Sequence, residues 1–340
     1  MKLLSITIPC YNSASYLKKC IDSLLPGKEA VEIIIVNDGS TDGTSLIAHE
    51  YEKNYPGIIK VIDKENGGHG SAINAGLNAA EGLFFKVVDS DDWVSPDALM
   101  AIIETLRQFS ASDTVLDMLI SNFIYEKSDG NKKVIRFNHS LPVNSVFTWN
   151  EVKRFPRGHF LLMHALLYRT ALLRDSRLTL PEHSFYVDNI FAFEPLPAVK
   201  NIYYLNEDFY HYSTGREDQS VNARNMIARI DQQIAVNKRM FDFMLRHKDA
   251  IFPEEHLKTY MLDYLDVITA VSSIFLILSK TSENLAKKEM LWKYIEDSDK
   301  EIYKRLRFGL MGSLVHLPGK IGREFSIGIY HFANMIFKFN

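Results

Sequence analysis

Four short apolar runs open the chain, and each is followed by a polar turn and then a helical pattern. Residues 3–9, 32–37, 58–62 and 83–88 are rich in Ile, Val, Leu and Phe and lack an in–out alternation. That is the mark of strands buried on both faces. Between them, residues 16–25 place Leu17, Cys20, Ile21, Leu24 and Leu25 at helical spacing. Residues 44–51, 71–80 and 96–108 also read as helices, the last with Pro96 at its start. Such alternation predicts parallel strands joined by right-handed helical crossovers. Ligands of such sheets bind at the carboxyl ends of the strands. Every polar motif of the first third stands at one of those ends.

Beyond residue 113 the order loosens. Residues 118–125, 133–137 and 199–205 look like strands, and 161–173 is an apolar run holding His164, Tyr168 and Arg169. From residue 222 the pattern is helical, over 222–246, 254–279 and 282–306. The expected division is an α/β domain over 1–220 and a helical C-terminal domain over 221–340. A net charge of −3 removes any global electrostatic case for nucleic acid. Cys10 and Cys20 read as buried free thiols, without the partners a disulfide framework or zinc site needs, which suits a reducing cytoplasm. The N-terminus does not read as a signal peptide. No charge-free apolar stretch reaches the roughly 18–20 residues that span a bilayer. The longest, 267–279 and 325–337, read as core or interfacial helices.

The first strand ends in Pro9-Cys10-Tyr11-Asn12, where proline stops the ladder and an aromatic at the rim could stack on a base. The plainer reading is a turn with Asn12 or Ser13 as helix cap. The second ends in Asn37-Asp38-Gly39-Ser40-Thr41-Asp42-Gly43, where Asp38 could bond a base or ribose, or Asp42 or Ser40 could cap the next helix. After the third come Asn66-Gly67-Gly68-His69-Gly70-Ser71. Glycines before a helix can bring N–H groups to phosphate, though the third glycine of a dinucleotide fingerprint is replaced by Ile73. His69 could contact phosphate or sugar, or simply be solvated.

Asp89-Ser90-Asp91-Asp92 follows the fourth strand and carries most information. Three carboxylates in four residues are unfavourable unless a positive charge neutralises them. Hard oxygen ligands suit Mg2+ or Mn2+, shared with substrate phosphates. An acidic helix-capping loop before Pro96 is the alternative. Further on, Asp188 is an isolated acid in an aromatic, apolar setting. There burial would raise its pKa toward that of a general base, unless it is a helix cap. Tyr210-His211-Tyr212 and residues 215–220 read as a polar loop after Leu205, offering His211 to a metal or phosphate and Arg216 to a phosphate, or simply linking the two domains.

Taken together, these motifs resemble the family 2 inverting glycosyltransferases of the GT-A fold, a Rossmann-like, mostly parallel sheet flanked by helices. The likeness is strong from Leu3 to about Phe109 and looser to about Ser220. It implies that Tyr11 and Asp38 contact the nucleotide base, with Pro9 and Asn12 shaping the pocket. Asn66, with Gly67 and Ser71 nearby, would face the nucleotide-sugar, joined by Ser90 and Arg216. Asp89 would touch the donor and share with Asp91 and His211 a Mn2+ or Mg2+ ion. Asp188 would be the catalytic base, although Val187 stands where the family often has Glu. The Gln-x-x-Arg-Trp motif of processive synthases is absent, so the resemblance implies transfer of one hexose or N-acetylhexosamine. The donor would be a nucleotide-sugar, UDP-linked by family expectation. The acceptor would be a hydroxyl of a glycan, glycolipid or cell-surface polysaccharide precursor. A sugar nucleotidyltransferase and a non-catalytic nucleotide-sugar-binding protein are the competing readings. The former lacks its glycine-rich basic signature in residues 9–15.

From Lys304 to Asn340 six Lys/Arg face one acid, with Phe308, Leu310, Phe325 and Ile329 among them. This basic amphipathic segment suits the inner face of an anionic membrane, with a lipid-linked acceptor. It equally suits a helix pair packed on the domain or in a homo-oligomer.

Overall fold

The computed structural model describes residues 1–127, 129–156, 159–215 and 223–337. Arg216 lies outside the described residues. The chain divides into two compact units, Met1–Thr214 and Gly215–Asn340.

The first unit is built on one ten-stranded sheet. Its strands are β1 Leu4–Cys10, β2 Val31–Asp38, β3 Ile59–Lys64, β4 Phe84–Val87, β5 Trp93–Val94, β6 Met118–Lys127, β7 Lys132–Ile135, β8 Val146–Phe147, β9 Leu166–Arg169 and β10 Ile202–Thr214. The order is β3-β2-β1-β4-β9-β6-β10-β5, with β7 on β6 and β8 on β10. Helices α1 Leu17–Leu24, α2 Thr44–Asn54, α3 His69–Ala79 and α4 Pro96–Ser110 follow the first strands, and α5 Thr170–Asp175 and α6 Asp188–Phe193 come later. The first four long strands pair in parallel, as the alternation predicts. Beyond β4 the sheet is mixed, because β9 runs antiparallel to both β4 and β6.

Local chemistry explains the main features. All residues of β1 and β2 are buried, which is why they read as continuous apolar runs. Pro9 does not stop β1; it stays in the ladder opposite Val36. Thr7 accepts from Val88, so the odd residues of β1 direct their ladder groups toward β4. Pairing with β4 ends at Thr7/Val87, and the N–H that Pro9 lacks has no strand to meet. Ser95 caps α4 by accepting from Ala98 N–H, with Pro96 at the first helical position.

Two expectations change. The strand expected at 199–205 runs to Thr214, because β6 offers a long parallel partner. Register shifts between Tyr204 and Tyr210 mark a bulge. Tyr210-His211-Tyr212, read from sequence as a loop, is therefore strand. The 161–173 run breaks into a tight turn at Met163–Ala165, β9 and α5.

The second unit holds α7 Ala223–Ala228, α8 Ile230–Arg246, α9 Lys248–Ile251, α10 Glu255–Leu278, α11 Ser282–Ser298, α12 Lys300–Phe308, α13 Leu310–Val315 and α14 Gly319–Phe337. With a mean hydropathy of 1.8, α10 is long and apolar enough to cross a membrane, though it is not charge-free: Asp263 and Asp266 lie within it, and its apolar part includes most of the 267–279 run read from sequence as a core or interfacial helix. Its apolar window is 72% buried, the position of a core helix. Small polar groups along it are paired: Ser272 with Gln233, Thr269 with Asn237, and Ser273 with the Trp292 indole N–H.

Candidate active site

The ends of β1 to β4 are fastened to one another by short polar side chains. Asn12, at φ 51°, donates its N–H to Ser40 Oγ at 3.0 Å and accepts from Thr41 N–H at 2.8 Å. Ser13 Oγ lies 2.7 Å from Ser90 Oγ, joining the first strand end to the fourth. Tyr11, 56% exposed, is left at the rim. Asn12 and Ser90 thus brace the crevice.

Asp38 is buried and its carboxylate is taken up. It accepts from Lys64 Nζ at 2.7 Å, Gly67 N–H at 2.9 Å and Gly68 N–H at 2.7 Å. The glycine loop therefore aims two N–H groups at an internal carboxylate, where the sequence suggested a phosphate. Asn66 Nδ2 donates to the Asp38 carbonyl at 3.0 Å. Gly39 is required there: its φ is +73°, and a Cβ would come within 2.9 Å of Asn66 N.

The same loop grips the segment leading to Asp188. Ser71 Oγ donates to Glu182 at 2.9 Å, so this hydroxyl fastens two loops rather than facing the crevice. Asn74 exchanges two hydrogen bonds with the Leu180 backbone, at 2.8 and 2.9 Å. A Cβ on Gly68, at φ +85°, would press on the His183 backbone at 3.1 Å. His183 and Tyr186 adopt φ of 49° and 65°, costly for non-glycine residues. The chain bends through them and starts α6 at Asp188. Asn189 Nδ2 donates to Asp188 at 3.3 Å.

Asp89 is the centre of the site. His69 Nε2 bonds its Oδ1 at 2.8 Å, and His164 Nε2 lies 3.8 Å from its Oδ2. His164 is buried, stacked on Tyr212 at 4.2 Å, with the edge of Tyr210 at 4.8 Å. Tyr210 accepts from Asp89 N–H and donates to Asp92 at 2.6 Å, while Ser213 N–H donates to the other Asp92 oxygen at 2.7 Å. Beneath them Lys86 is fully buried on β4. It donates to the carbonyls of Met163 and His164 at 2.8 and 2.6 Å and sits 4.8 Å from the Tyr210 ring.

These groups push one another's proton affinities apart. Burial favours the neutral form of Asp89, but His69 and His164 outweigh it and hold the carboxyl well below the usual range. Burial raises Asp188, only partly opposed by His164 and His69. Burial, then Asp91 and Asp89, drives Asp92 well up despite its two donors. Burial disfavours charged His69, yet Asp89 raises its pKa overall. Lys86 is brought down to about 7 by burial, against the pull of Asp89 and Asp92.

A divalent cation fits the donor set. Ligand atoms of Asp89, Asp92 and His164 lie within 4.8 Å of one another. Asp92 is committed to Tyr210 and Ser213, whereas His164 Nδ1 is buried without a hydrogen-bond partner. Asp89 and His164 would supply hard oxygens and one imidazole; Asp91, expected from sequence as a ligand, is half-buried and is not among the clustered ligand atoms. His211 does not join them. Side chains alternate along β10, so it faces away from Tyr210 and Tyr212. It bonds Glu126 at 2.7 Å and stacks on Trp93 at 5.3 Å.

Sequence reasoning passed over His164, Lys86, Tyr210 and Tyr212 as site groups and left His69 undecided. The available signal was weak but physical: Lys86 is a lone charge inside an apolar strand and His164 a lone imidazole inside an apolar run.

Comparison with known proteins bears on the fold and the family. The solved structure of Staphylococcus aureus TarS 1-349 superposes with a TM-score of 0.52 at 20% identity, covering 88% of this chain and 92% of that one. TarS 1-349 in complex with UDP gives 0.51, again at 20% identity, covering 91% and 90%. At this identity the likeness defines the fold, a GT-A-type α/β unit accompanied by helices. In sequence, residues 5–169 match Glycosyl transferase family 2, which assigns that part of the chain to the family. "Uncharacterized glycosyltransferase EpsJ" of Bacillus subtilis (strain 168) is 33% identical over 222 residues, 62% of this chain and 60% of the relative. "Poly(ribitol-phosphate) beta-N-acetylglucosaminyltransferase TarS" of S. aureus (strain Mu50 / ATCC 700699) is 27% identical over 266 residues, 75% of this chain and 44% of the relative. The chain thus matches about 60% of the length of relatives such as EpsJ.

Proposed function

We propose that this protein moves one sugar from a nucleotide-sugar to a hydroxyl of a glycan, glycolipid or cell-surface polysaccharide precursor, inverting the anomeric carbon. One observation carries the reading: two half-buried carboxylates, Asp89 and Asp188, flank the same pair of histidines with proton affinities displaced in opposite directions. Such a split assigns a permanent anion and a proton acceptor. UDP as the nucleotide is supported by the TarS structure in complex with UDP.

Asp188 takes the proton of the acceptor hydroxyl. The oxygen attacks the anomeric carbon from the face opposite the diphosphate. The bond from that carbon to the phosphate oxygen breaks, and its electron pair leaves with the nucleoside diphosphate. Tyr11, exposed at the rim, would stack on the base. His69 keeps Asp89 ionised, and Lys86 and Tyr210 hold the turn and loop that carry His164 and Asp89. Asp89 and His164 would hold Mn2+ or Mg2+, which when bound would offset the charge of the departing diphosphate.

The test is release of free nucleotide from a panel of nucleotide-sugars, with and without Mn2+, by the parent protein and by Asp188→Asn. Sugar transfer lost in the variant, with donor binding intact by calorimetry, supports the assignment. Undiminished transfer by Asp188→Asn, or loss of donor binding with normal turnover, overturns it.

A further inference from the structure

The last three helices present a surface that the sugar-transfer reading does not use. Phe308 is 71% exposed, Leu310 50%, Ile321 87% and Phe325 60%. Large apolar side chains this exposed in one stretch of chain mark an interaction surface. Ile321 and Phe325 stand four residues apart, on one face of α14. Phe308 and Leu310 flank Gly309, where α12 passes into α13.

The corner that carries them is firmly built. Ser326 Oγ donates to the Leu314 carbonyl at 2.6 Å, tying α14 to α13. His316 bonds the Gly312 carbonyl at 2.7 Å and packs edge-on against Trp292 of α11 at 4.5 Å. A Cβ on Gly322 would come within 2.6 Å of the Leu317 backbone, so this glycine permits the tight turn. The exposed side chains are held outward by a packed corner.

Charge says what covers them. Residues 300–327 hold six Lys/Arg and two acids, a local balance of 6 − 2 = +4. Glu324, one of the acids, is already paired with Lys280 at 3.1 Å. The pKa of Lys288, lowered first by burial although Glu289 bonds it at 3.3 Å, is lowered further by Arg307 at the end of α12 and Arg323 near the start of α14. A protein–protein interface core is depleted of charge, whereas here cations are interleaved with the apolar side chains. An anionic bilayer rewards that mixture: apolar side chains enter the headgroup boundary while cations meet lipid phosphates.

We propose that the α12–α13–α14 corner of the helical unit docks on an anionic lipid bilayer. Phe308, Leu310, Ile321 and Phe325 insert, and Arg307, Lys320 and Arg323 engage the phosphates.

Flotation of the full chain with vesicles tests this. Phosphatidylcholine vesicles containing phosphatidylglycerol should carry the protein upward, and phosphatidylcholine alone should not. Lys320→Glu with Arg323→Glu should weaken partitioning at least about 25-fold, at about fivefold per cation near the surface. Added salt should weaken it as well. Phe308→Ser, Ile321→Ser and Phe325→Ser together should lower it about 100-fold. Four of the five positions are exposed and Arg323 is half-buried, so thermal melts should stay close to the parent, and the charge pair tests the idea independently of the apolar set. Equal partitioning to neutral and anionic vesicles, or no flotation with either, overturns the proposal. So do variants that bind vesicles as the parent does but run at a smaller oligomeric mass by light scattering, which would make the corner a contact between copies.

Discussion

The two units bury polar groups in different ways. In the α/β unit ionisable groups go inside together: Lys86, Asp92 and His164 are all buried, around a half-buried Asp89. Burial and neighbouring charge shift the proton affinities of Lys86, Asp92 and Asp89 strongly. In the helical unit the buried polar groups of α8 and α10 are neutral, as in Ser272, Ser273, Thr269, Gln233 and Asn237, and the one charged exception in the buried set among the described residues, Lys288 of α11, bonds Glu289 at 3.3 Å. Neutral pairs cost less to desolvate and give shape without reactivity. Buried charges are tolerated only in company, and the company changes their chemistry. The comparison separates a core built for a reaction from one built for packing.

The largest expected effect breaks that comparison at its strongest point. Asp188→Asn should lower kcat about a thousandfold, within the usual range for a positioned base, with donor affinity nearly unchanged. Steady-state kinetics and calorimetry check both halves. Because burial raises Asp188, the acid limb of kcat/KM should fall at a pH above the ordinary aspartate range, with activity present above that pKa and lost below it.

A smaller effect sharpens the metal assignment. His164→Phe should weaken Mn2+ binding, followed by titration calorimetry, by about 10–100-fold. His211→Phe should leave it unchanged, since His211 bonds Glu126 on the other face of β10. Equal losses in the two variants would show that His164 is no more a ligand than His211.

Lys86 gives a stability test. Its pKa is near 7 in the fold and 10.5 in the unfolded chain, so between these values the unfolded state binds more protons. Stability should therefore rise with pH across that window, by up to about 1.4 kcal/mol per pH unit from this group. Denaturant titrations of Lys86→Met should lack that slope and show a lower baseline, because the Met163 and His164 carbonyls lose their donor.

The smallest effect belongs to the helical unit. Asp299 caps α12 through Glu301 N–H and Ile302 N–H and pairs with Lys248. Asp299→Ala should cost about 1–2 kcal/mol by chemical denaturation, with sugar transfer unaffected. Burial raises the Asp299 carboxyl, but the capping N–H groups and Lys248 outweigh it and lower it overall. Its contribution is present above the unfolded aspartate pKa and fades as pH falls through the folded one.

Much of the fold was legible because its signals are local. The runs that became β1 to β4 and the spacings that became α1 to α4 each report their own burial. So did the clustering of Asp89, Ser90 and Asp91 at a strand end. The register of β10 was not legible, because it depends on β6 some eighty residues away in sequence. Reading 199–205 as the whole strand left Tyr210, His211 and Tyr212 in a supposed loop. That error offered His211 as a ligand and hid the two tyrosines. Asp38 illustrates the same limit. Its residue type fits a base contact, but three donors brought in by β3 and the glycine loop claim its carboxylate.

By itself the sequence determined which segments are strands or helices in the first third, where the acids and glycines stand relative to strand ends, and the family. These follow from spacing and residue type along a continuous stretch. Only the tertiary structure decided which acid is held ionised, which is raised, and which histidine faces them. Those outcomes rest on burial and on charges within a few ångströms, contributed by β4, α3, the Met163–Ala165 turn and β10. Segments so far apart in the chain meet only when the sheet closes its order.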